Sequence, residues 1–414
     1  MKRIFSLYLI AIYFIAINSQ SKKNVFKHGK YCITKSDCGK KLYCIFNACM
    51  TEFEKNNIDI LGLNNQNFID EENDKNELDK NAIKEANLLF TGSILLDGRA
   101  FKSGERGKDL YNYNHIFNKN ITKKIKSVDL PVTNMQTIFY IKEDINDINF
   151  PLKINNTPKE FGDSLAYAGF RLILHASPFS FALKEKGIIN TLNFWEANYP
   201  FIKILGISRN QKESEDNYYI YNINNIKIGI INFNAFKSDK IPEEKKYMVN
   251  TISKERVENI MNKIKNQTDF NIACINWGKK IGKFPDKKQI KIAKNLADLG
   301  IGIVIGNYPY YVQSVSFVRS DKGNKALVFW SLGIFVGDVD SNKNFWLGAM
   351  ADIKFKKING KVFMKKYEMI PIVNHIKENR EYSVYKLDDY NNSIGKNIIS
   401  KEKCENIFGV FSKC

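Results

Sequence analysis

The polar side chains of this sequence that could do chemistry are mostly uncharged, and they follow short apolar runs. In chain order they are Ser93, Asn134, Gln136, Asn276, Asn307, Tyr308 and Tyr310. If the apolar runs are strands of α/β sheets, these residues lie at the carboxyl ends of strands, where functional groups collect. Amides beside aromatic faces suit a neutral sugar or a peptide-like ligand. The alternative interpretation is a pocket that has packed itself shut with aromatic rings.

Further candidate binding residues lie close to the same loops. They are Asp97, Arg99, Trp277, Lys279, Lys280 and Trp330. Asp97 and Arg99 follow the first apolar run, and they either contact a substrate or cap the next segment. The two tryptophans would line or border the cleft. The two lysines would lie at its rim and favour an anionic chain.

The histidines offer little support for acid–base catalysis. The chain has four, His28, His115, His175 and His375. We expect His175 to be a hydrogen-bonded core or interface histidine. His115 could approach the cleft, but an exposed loop position is the simpler expectation. No nucleophile elbow, Walker loop or dinucleotide-binding glycine pattern occurs in the sequence.

The elements that must position these residues alternate between strand and helix. Apolar runs predict strands near residues 87–96, 127–135, 170–176, 226–234, 270–277, 301–308 and 325–336. Apolar spacings of three and four predict helices near residues 163–170, 187–199, 253–265 and 286–300. This alternation predicts an α/β sandwich of mixed sheets flanked by helices. From Ala349 onward we expect antiparallel strands joined by a turn at Asn359 and Gly360.

The chain is strongly basic, with a formal net charge of +19. One interpretation is attraction to a polyanion such as nucleic acid, cell-wall polymer or polyglutamate. The other is a general abundance of lysine on solvated surfaces, alongside abundant asparagine and isoleucine. No run of five or six adjacent basic residues occurs, and no motif interleaves aromatic residues with arginine. The sequence therefore predicts no nucleic-acid partner.

The first 20 residues predict an export signal. Lys2 and Arg3 precede an apolar run from Ile4 to Ile17, and small or polar residues follow it. The run is shorter than the roughly 20 apolar residues that a spanning helix needs. An uncleaved N-terminal anchor remains open. We expect a protein exported to the periplasm, the cell surface or the medium, with membrane contact only through such an anchor.

Cysteine spacing predicts disulfides at both ends of the chain. The seven cysteines are Cys32, Cys38, Cys44, Cys49, Cys274, Cys404 and Cys414. The first four lie close together, as in a two-disulfide segment of a secreted protein, and three pairings are possible. Zinc is the weaker alternative because the spacing lacks C-x2-C hairpins. The last two predict a third bridge, and Cys274, in an apolar run, a buried thiol.

These features predict five segments. They are a signal peptide at residues 1–20, a small disulfide-rich segment at 21–50, a polar linker at 51–85, an α/β domain at 86–375 and a disulfide-closed tail at 376–414.

Six short motifs in the predicted domain carry a resemblance to a known family. They are TGS at 91–93, NMQT at 134–137, GF at 169–170 through ASPF at 176–179 to GIINTL at 187–192, NWGKKI at 276–281, GNYPY at 306–310 and WSLGIF at 330–335. Their order and spacing resemble the CapA-type proteins of capsule and poly-γ-glutamate biosynthesis, relatives of the calcineurin-like metallophosphatases. The resemblance covers about residues 87–338 and implies a calcineurin-like sandwich.

The residue types that bind metal in that family are nearly all replaced here. The resemblance implies a carboxylate at Ser93 and Gln136, metal-ligand positions at Phe179 and Ala182, and imidazoles at Asn276, Asn307, Tyr308 and Tyr310. Only Asn134 keeps its residue type. A neutral amide or hydroxyl binds a divalent cation far less well than a carboxylate, since no charge offsets the desolvation of the ion. We therefore expect no metal cofactor, with a divalent metal as the alternative.

Three functions follow from these observations. The leading hypothesis is an exported, non-catalytic CapA-like protein that binds an anionic or sugar-containing surface polymer or works with capsule machinery. The second is a phosphoesterase-like, or amide-forming or amide-hydrolysing, enzyme with a remodelled site. The third is an adhesion protein that uses the N-terminal disulfide-rich segment.

Overall fold

The computed structural model describes residues 42–45, 48–51, 84–108, 110–140, 156–237, 241–338, 343–376 and 382–390. The chain divides into two compact units, residues 1–57 with Cys414 and residues 58–413. In the first unit, β1 (Leu42–Ile45) pairs antiparallel with β2 (Ala48–Thr51), and the backbone of Cys44 lies opposite that of Cys49. The other cysteines of the predicted bridges, the export signal and His28 lie outside the described residues.

The second unit contains eighteen further described strands and seven described α-helices. The strands are β3 (Lys84–Ile94), β4 (Glu105–Gly107), β5 (Leu110–Tyr111), β6 (Leu130–Met135), β7 (Ile138–Tyr140), β8 (Asn156–Pro158), β9 (Leu172–Leu174), β10 (Lys203–Leu205), β11 (Tyr218–Ile223), β12 (Ile226–Asn234), β13 (Phe270–Asn276), β14 (Ile303–Asn307), β15 (Val315–Arg319), β16 (Lys325–Phe329), β17 (Ile334–Val336), β18 (Leu347–Ile358), β19 (Lys361–Ile376) and β20 (Tyr382–Lys386). The helices are α1 (Gly98–Ser103), α2 (Lys119–Lys126), α3 (Glu160–Ala168), α4 (Lys184–Asn198), α5 (Gln211–Glu215), α6 (Lys254–Ile264) and α7 (Lys287–Asp298). Among these helices none is both long and apolar enough to cross a membrane.

Two large sheets form the centre of this unit. The first has the order β10-β9-β6-β3-β18-β19-β20, with β17 also paired to β3. Its strands β10, β9, β6, β3 and β17 are parallel, whereas β18 to β20 run antiparallel. The second has the order β11-β12-β13-β14-β16-β15, with parallel neighbours from β12 to β16 and an antiparallel strand at each edge.

Alternating side chains along the second sheet explain why the sheets stack. In β13, Ile272 and Cys274 belong to the largest core cluster, while Ala273 and Ile275 belong to another cluster with helices α6 and α7. Because successive side chains of a strand point to opposite faces, one face packs against the first sheet and the other against helices. Phe270 touches Phe355 of the first sheet, with ring centroids 5.0 Å apart.

Most of the predicted elements are confirmed, and the mixed α/β class with them. All four predicted helices are present, as is the turn at Asn359 and Gly360, whose φ angles are 50° and 79°. The single strand predicted over residues 325–336 is wrong, because β16 lies in the second sheet and β17 in the first. Cys274 is the buried free thiol that its apolar run predicts, and burial raises its pKa.

Candidate functional site

The strand ends of the two sheets meet at one edge of the second unit. Ser93 at the end of β3 is the register partner of Asn134 at the end of β6. In the second sheet, Asn276 at the end of β13 is the register partner of Asn307 at the end of β14. All four residues are buried, with 1% or less of their surface exposed. Parallel strands thus bring four of the predicted site residues together.

Two carboxamides form a reciprocal pair across the sheets. The Nδ2 group of Asn134 donates to Oδ1 of Asn276 at 3.2 Å, and Nδ2 of Asn276 donates to Oδ1 of Asn134 at 3.0 Å. Asn276 Nδ2 also donates to the carbonyl of Ala176. Each amide therefore acts as both donor and acceptor toward the other.

Gln136 and Ser93 join this pair into one network. The Nε2 group of Gln136 donates to Asn276 Oδ1 at 2.7 Å and to Ser93 Oγ at 2.9 Å. Asn134 Nδ2 and the backbone N–H of Tyr308 each approach Ser93 Oγ at 3.3 Å. We call Ser93, Asn134, Gln136 and Asn276 the amide network. Its members satisfy most of each other's polar atoms, as buried polar groups require.

The loop after β9 is joined to the backbone beside the network and to β12 by hydrogen bonds. Ser177 Oγ donates to the carbonyl of Gln136 at 2.6 Å, and Asn232 Oδ1 accepts the backbone N–H of Ala176 at 2.8 Å. The motif at residues 176–179 predicted this loop but not the roles of Ser177 and Asn232. Asn232 is a polar residue within the apolar strand β12, and this contrast is the sequence feature that could have indicated its role.

Three aromatic rings, which we call the aromatic lid, lie next to the network, and the backbone N–H of Tyr308 contacts Ser93 Oγ. The ring of Tyr308 lies 4.3 Å from that of Phe236 and 6.3 Å from that of Phe179, measured between centroids. Tyr308 has a φ of 90°, a left-handed conformation that a bulky residue rarely adopts. Burial raises the pKa of its hydroxyl. Phe236 was not predicted as a site residue. It follows the carboxyl end of β12, in the same sheet as β14, the strand that precedes Tyr308.

Three predicted aromatic residues lie elsewhere. Tyr310 packs against Phe345 at a centroid distance of 5.4 Å, in a cluster that Phe179 of the lid also contacts. Trp277 stacks on Trp330 at 5.7 Å inside the core between the second sheet and its helices, and its Nε1–H donates to the Trp330 carbonyl at 2.9 Å. These tryptophans are core residues here, so neither presents a ring face to a ligand.

Asp97 and Arg99 tie two strand-end loops together. Arg99 makes a two-pronged ion pair with Asp338, at 2.7 Å from Nε and 2.8 Å from Nη2. The backbone N–H of Asp338 donates to Asp97 Oδ1 at 2.9 Å. Burial, with some repulsion from the Asp338 carboxylate, raises the pKa of Asp97 to about 6, although the hydrogen bond from the Asp338 backbone and, to a smaller extent, Lys280 oppose that shift. The ion pair fixes the loop after β3 to the loop after β17.

The histidines depart from expectation in two ways. His175 is buried as expected, but neither ring nitrogen has a hydrogen-bond partner within the described part of the chain. Burial lowers its pKa to about 3, and the nearby Thr137 backbone only weakly opposes this. His115 is half-buried rather than an exposed loop residue, because its ring nitrogens contact Arg106 and Ser103, each at 3.1 Å.

The amide network does not fit a divalent metal. None of its four side chains is a carboxylate or an imidazole, and most of their polar atoms already bind one another. Hard cations need charged oxygen ligands to offset their desolvation. Among the residues that the structure describes, no group of three or more His, Cys, Asp or Glu side chains could hold a metal ion.

Two buried oxygens near the network remain without a partner among the described residues. They are Oε1 of Gln136 and Oδ1 of Asn307. Swapping the amide orientation of Gln136 would turn its oxygen toward Asn276 Oδ1, so the hydrogen-bond pattern itself supports the orientation shown. A proton donor, rather than an acceptor, would complement both oxygens.

Two curated relatives are similar to this chain over part of its length. Capsule biosynthesis protein CapA of Bacillus anthracis is 23% identical over 235 residues, which cover 55% of this chain and 55% of that protein. PGA biosynthesis protein CapA of Bacillus subtilis (strain 168) is 25% identical over 79 residues, covering 19% of this chain and 20% of that protein. The chain thus spans about half, or less, of the length of the curated relatives it matches.

Solved structures of hydrolases share a more distant likeness. NAD nucleotidase of Haemophilus influenzae gives a TM-score of 0.43 at 11% identity, covering 78% of this chain and 55% of that one. The calcineurin-like phosphoesterase YfkN of Bacillus subtilis gives 0.38 at 13% identity, covering 79% and 96%. Scores at this level carry no inference about the site.

The family model described as bacterial capsule synthesis protein PGA_cap matches residues 87–339. That range contains every strand end that builds the amide network and both loops joined by Arg99 and Asp338. It also agrees with the range over which the sequence resembles the CapA type. The chain belongs to the bacterial capsule synthesis protein family PGA_cap.

Proposed function

We propose that this protein serves capsule assembly outside the cytoplasm as a non-catalytic member of its family. The observation that carries the proposal is the amide network. At the positions where the resemblance implies metal ligands, four neutral side chains bind one another, and the backbone N–H of Tyr308 contacts one of them, Ser93. Two-metal hydrolysis needs ions that activate water and hold the leaving oxygen. Neutral groups that mostly bind one another give such ions no comparable site.

Opening the network for a metal would be costly. A divalent ion would have to displace the hydrogen bonds among Asn134, Gln136 and Asn276, and it would gain only neutral oxygens in return. Each buried polar group left without a partner costs about 1–3 kcal/mol. The proposed role therefore involves binding or assembly rather than bond cleavage.

An anionic surface polymer is the partner that we propose for the rim. Lys279 and Lys280 are exposed beside the strand-end edge, and the chain as a whole carries +19 charges. Electrostatic attraction of this kind is long-ranged and is weakened by salt. Poly-γ-glutamate, whose biosynthesis the B. subtilis relative is named for, is a polymer of this charge type.

A titration with poly-γ-glutamate tests this role on the full chain. We expect binding at low salt that the double substitution Lys279→Gln and Lys280→Gln weakens about tenfold or more, while neutral dextran does not bind. The matched control replaces Lys227 and Lys354, which are exposed on other strands, with glutamine. If both double variants weakened binding equally, the net charge of the chain, and not the two rim lysines, would explain the binding. Hydrolysis of a phosphodiester or of the polymer by the wild type would contradict the non-catalytic role.

A remodelled enzyme is the second candidate, and Asp97 is the observation that favours it. A carboxyl whose pKa is about 6 can exchange a proton near neutral pH. If the protein cleaves or forms amide bonds, Asp97→Asn and Asn134→Ala should each abolish turnover. Turnover that survives both substitutions would remove this candidate. Adhesion through the N-terminal disulfide-rich segment stays a prediction, because most of that segment lies outside the described residues.

A further inference from the structure

The loop between β13 and α7 exposes two large apolar side chains close together in sequence. Ile281 is 65% exposed and Phe284 is 55% exposed. The other described large hydrophobic residues with comparable exposure, Leu110, Tyr167 and Phe201, lie far apart along the chain. We call residues 277–286 the basic–apolar loop. Exposed apolar side chains that lie together commonly mark a surface that another phase or molecule covers.

The backbone of this loop is firmly held from inside. Gln313 Nε2 donates to the carbonyl of Gly282 at 2.9 Å, and Gln289 Nε2 donates to Gln313 Oε1 at 3.1 Å. Both glutamines are buried. The backbone N–H of Tyr310 donates to the carbonyl of Lys280 at 2.8 Å. Ile281 and Phe284 are therefore exposed on a backbone that hydrogen bonds hold in place.

Three cations of the loop flank this apolar pair in the sequence. Lys279, Lys280 and Lys283 are exposed, and within the described part of the chain none of them forms an ion pair with a carboxylate. The Nζ of Lys280 lies 5.0 Å from the ring centroid of Tyr310, and that of Lys283 lies 5.3 Å from the ring of Tyr311. These ring faces steady two of the ammonium groups without neutralising them.

We propose that the basic–apolar loop docks on an anionic lipid bilayer. Ile281 and Phe284 enter the boundary between headgroups and acyl chains, and the three lysines bind the headgroups. Apolar side chains beside lysines are the composition of segments that lie in a membrane interface. Each lysine near an anionic surface contributes about 1 kcal/mol.

The charge of the loop favours a bilayer over a protein partner or a second copy of the chain. The buried centre of a protein interface is depleted in lysine, whereas here three lysines flank two apolar residues within six positions. A second copy of the chain would bring like charges together on a protein that already carries +19. The proposal shares Lys279 and Lys280 with polymer binding, but it also requires Ile281 and Phe284, which polymer binding does not need.

Docking by this loop would orient the molecule. The loop starts directly after Asn276, so it lies at the edge where the strand ends of both sheets meet. A bilayer bound there faces that edge and the lid formed by Tyr308, Phe179 and Phe236.

The substitution Phe284→Trp in the full chain turns the loop into a fluorescent probe. The four native tryptophans are buried, so their emission should change little when vesicles are added. With vesicles of equal parts phosphatidylglycerol and phosphatidylcholine at low salt, we expect a blue shift and quenching by brominated acyl chains. Because the readout comes from position 284, an N-terminal anchor cannot produce it. The matched control is Phe201→Trp, at a position of similar exposure, 56%, which should show neither change.

Substitution of the lysines tests the charge contribution. In the Phe284→Trp background, replacing Lys279, Lys280 and Lys283 with glutamine should weaken vesicle binding about a hundredfold, at about fivefold for each lysine. Vesicles of phosphatidylcholine alone should bind much more weakly. Unchanged emission at position 284, an equal shift at position 201, or equal binding to both lipids would overturn the proposal. A shift on concentrating the protein without vesicles would assign the surface to a second copy and overturn it as well.

Discussion

At the scale of single residues, the amide network turns a set of strand-end positions into a closed hydrogen-bonded unit. Asn276 is its centre, because it bonds to Asn134 and Gln136 and to the carbonyl of Ala176. A buried network of this kind stabilises the fold only while every member keeps its partners. The network should therefore respond strongly to the loss of a single donor.

The substitution Asn276→Asp tests that closure. The new oxygen would face the Asn134 oxygen and the Ala176 carbonyl where an N–H now donates, and a buried charge would lack a partner. We expect a loss of about 3 kcal/mol in the free energy of unfolding. Urea unfolding at pH 7 measures it, with the exposed Asn222→Asp of β11 as the control. An unchanged stability would indicate an open, solvated site.

Asp97 should make the folded protein less stable as the pH rises, which is the opposite of the usual effect of a carboxyl group. Its pKa is about 6 in the fold against 3.8 in the unfolded chain, so the folded state holds the proton more tightly. Stability therefore falls as the pH rises from about 4 through 6, by about 3 kcal/mol.

The variant Asp97→Asn isolates this effect, because an asparagine oxygen can still accept the Asp338 N–H. We expect the variant to be more stable than the wild type at pH 7 and equal to it near pH 4, measured by urea unfolding at both values. A constant difference across that range would show that the Asp97 pKa is not raised.

The sequence predicted the positions of the network but not its bonding. Ser93, Asn134, Gln136 and Asn276 follow apolar runs, and strand ends collect such residues. Which nitrogen faces which oxygen depends on the stagger between two sheets, and no sequence pattern encodes that. Phe236 was missed because the strand before it carried no motif of its own, although it completes the aromatic lid.

At the scale of elements, long periodic segments were predictable, whereas most short or interrupted ones were not. Helices α6 and α7 show clear apolar spacing, and both are present. Strands β8 and β10 have only three residues each and were not predicted, because three residues are too few for a periodic signal. Strand β9 is equally short, but the apolar run at 170–176 predicted it. The apolar run at 325–336 crosses from one sheet to the other between Trp330 and Gly333. A buried strand and a buried crossing look alike in composition.

Close backbone approaches at glycines hold this crossing in place. A Cβ added to Gly306 would lie 2.2 Å from the Trp330 carbonyl oxygen and 2.5 Å from Trp277 Nε1. We expect Gly306→Ala to cost about 3 kcal/mol, since the backbone and a packed indole must move. Gly360→Ala is the control, because its Cβ would meet nothing within 4 Å and only a φ of 79° opposes it. Its cost should be about 1 kcal/mol in thermal or urea unfolding. Equal costs would contradict the packing at Gly306.

At the scale of the whole molecule, two sheets that stack face to face bring distant parts of the chain to a single edge. Ser93 and Asn276 lie far apart in sequence, and both contact Gln136 there. At this edge, Ser93, Asn134, Gln136 and Asn276 are neutral side chains, which is the feature that the proposed non-catalytic role rests on. The same edge carries exposed lysines and the basic–apolar loop, which is consistent with a role in binding surfaces and polymers.

The most direct test of this account compares the wild type with a variant that restores metal-binding residue types. The variant combines Ser93→Asp, Gln136→Glu and Asn276→His, and the melting temperature of each protein is measured with and without manganese. We predict no change for the wild type and a clear rise for the variant, because an ion that binds only the folded state stabilises it. A manganese-dependent rise in the wild type, with bound metal that survives dialysis, would contradict the account.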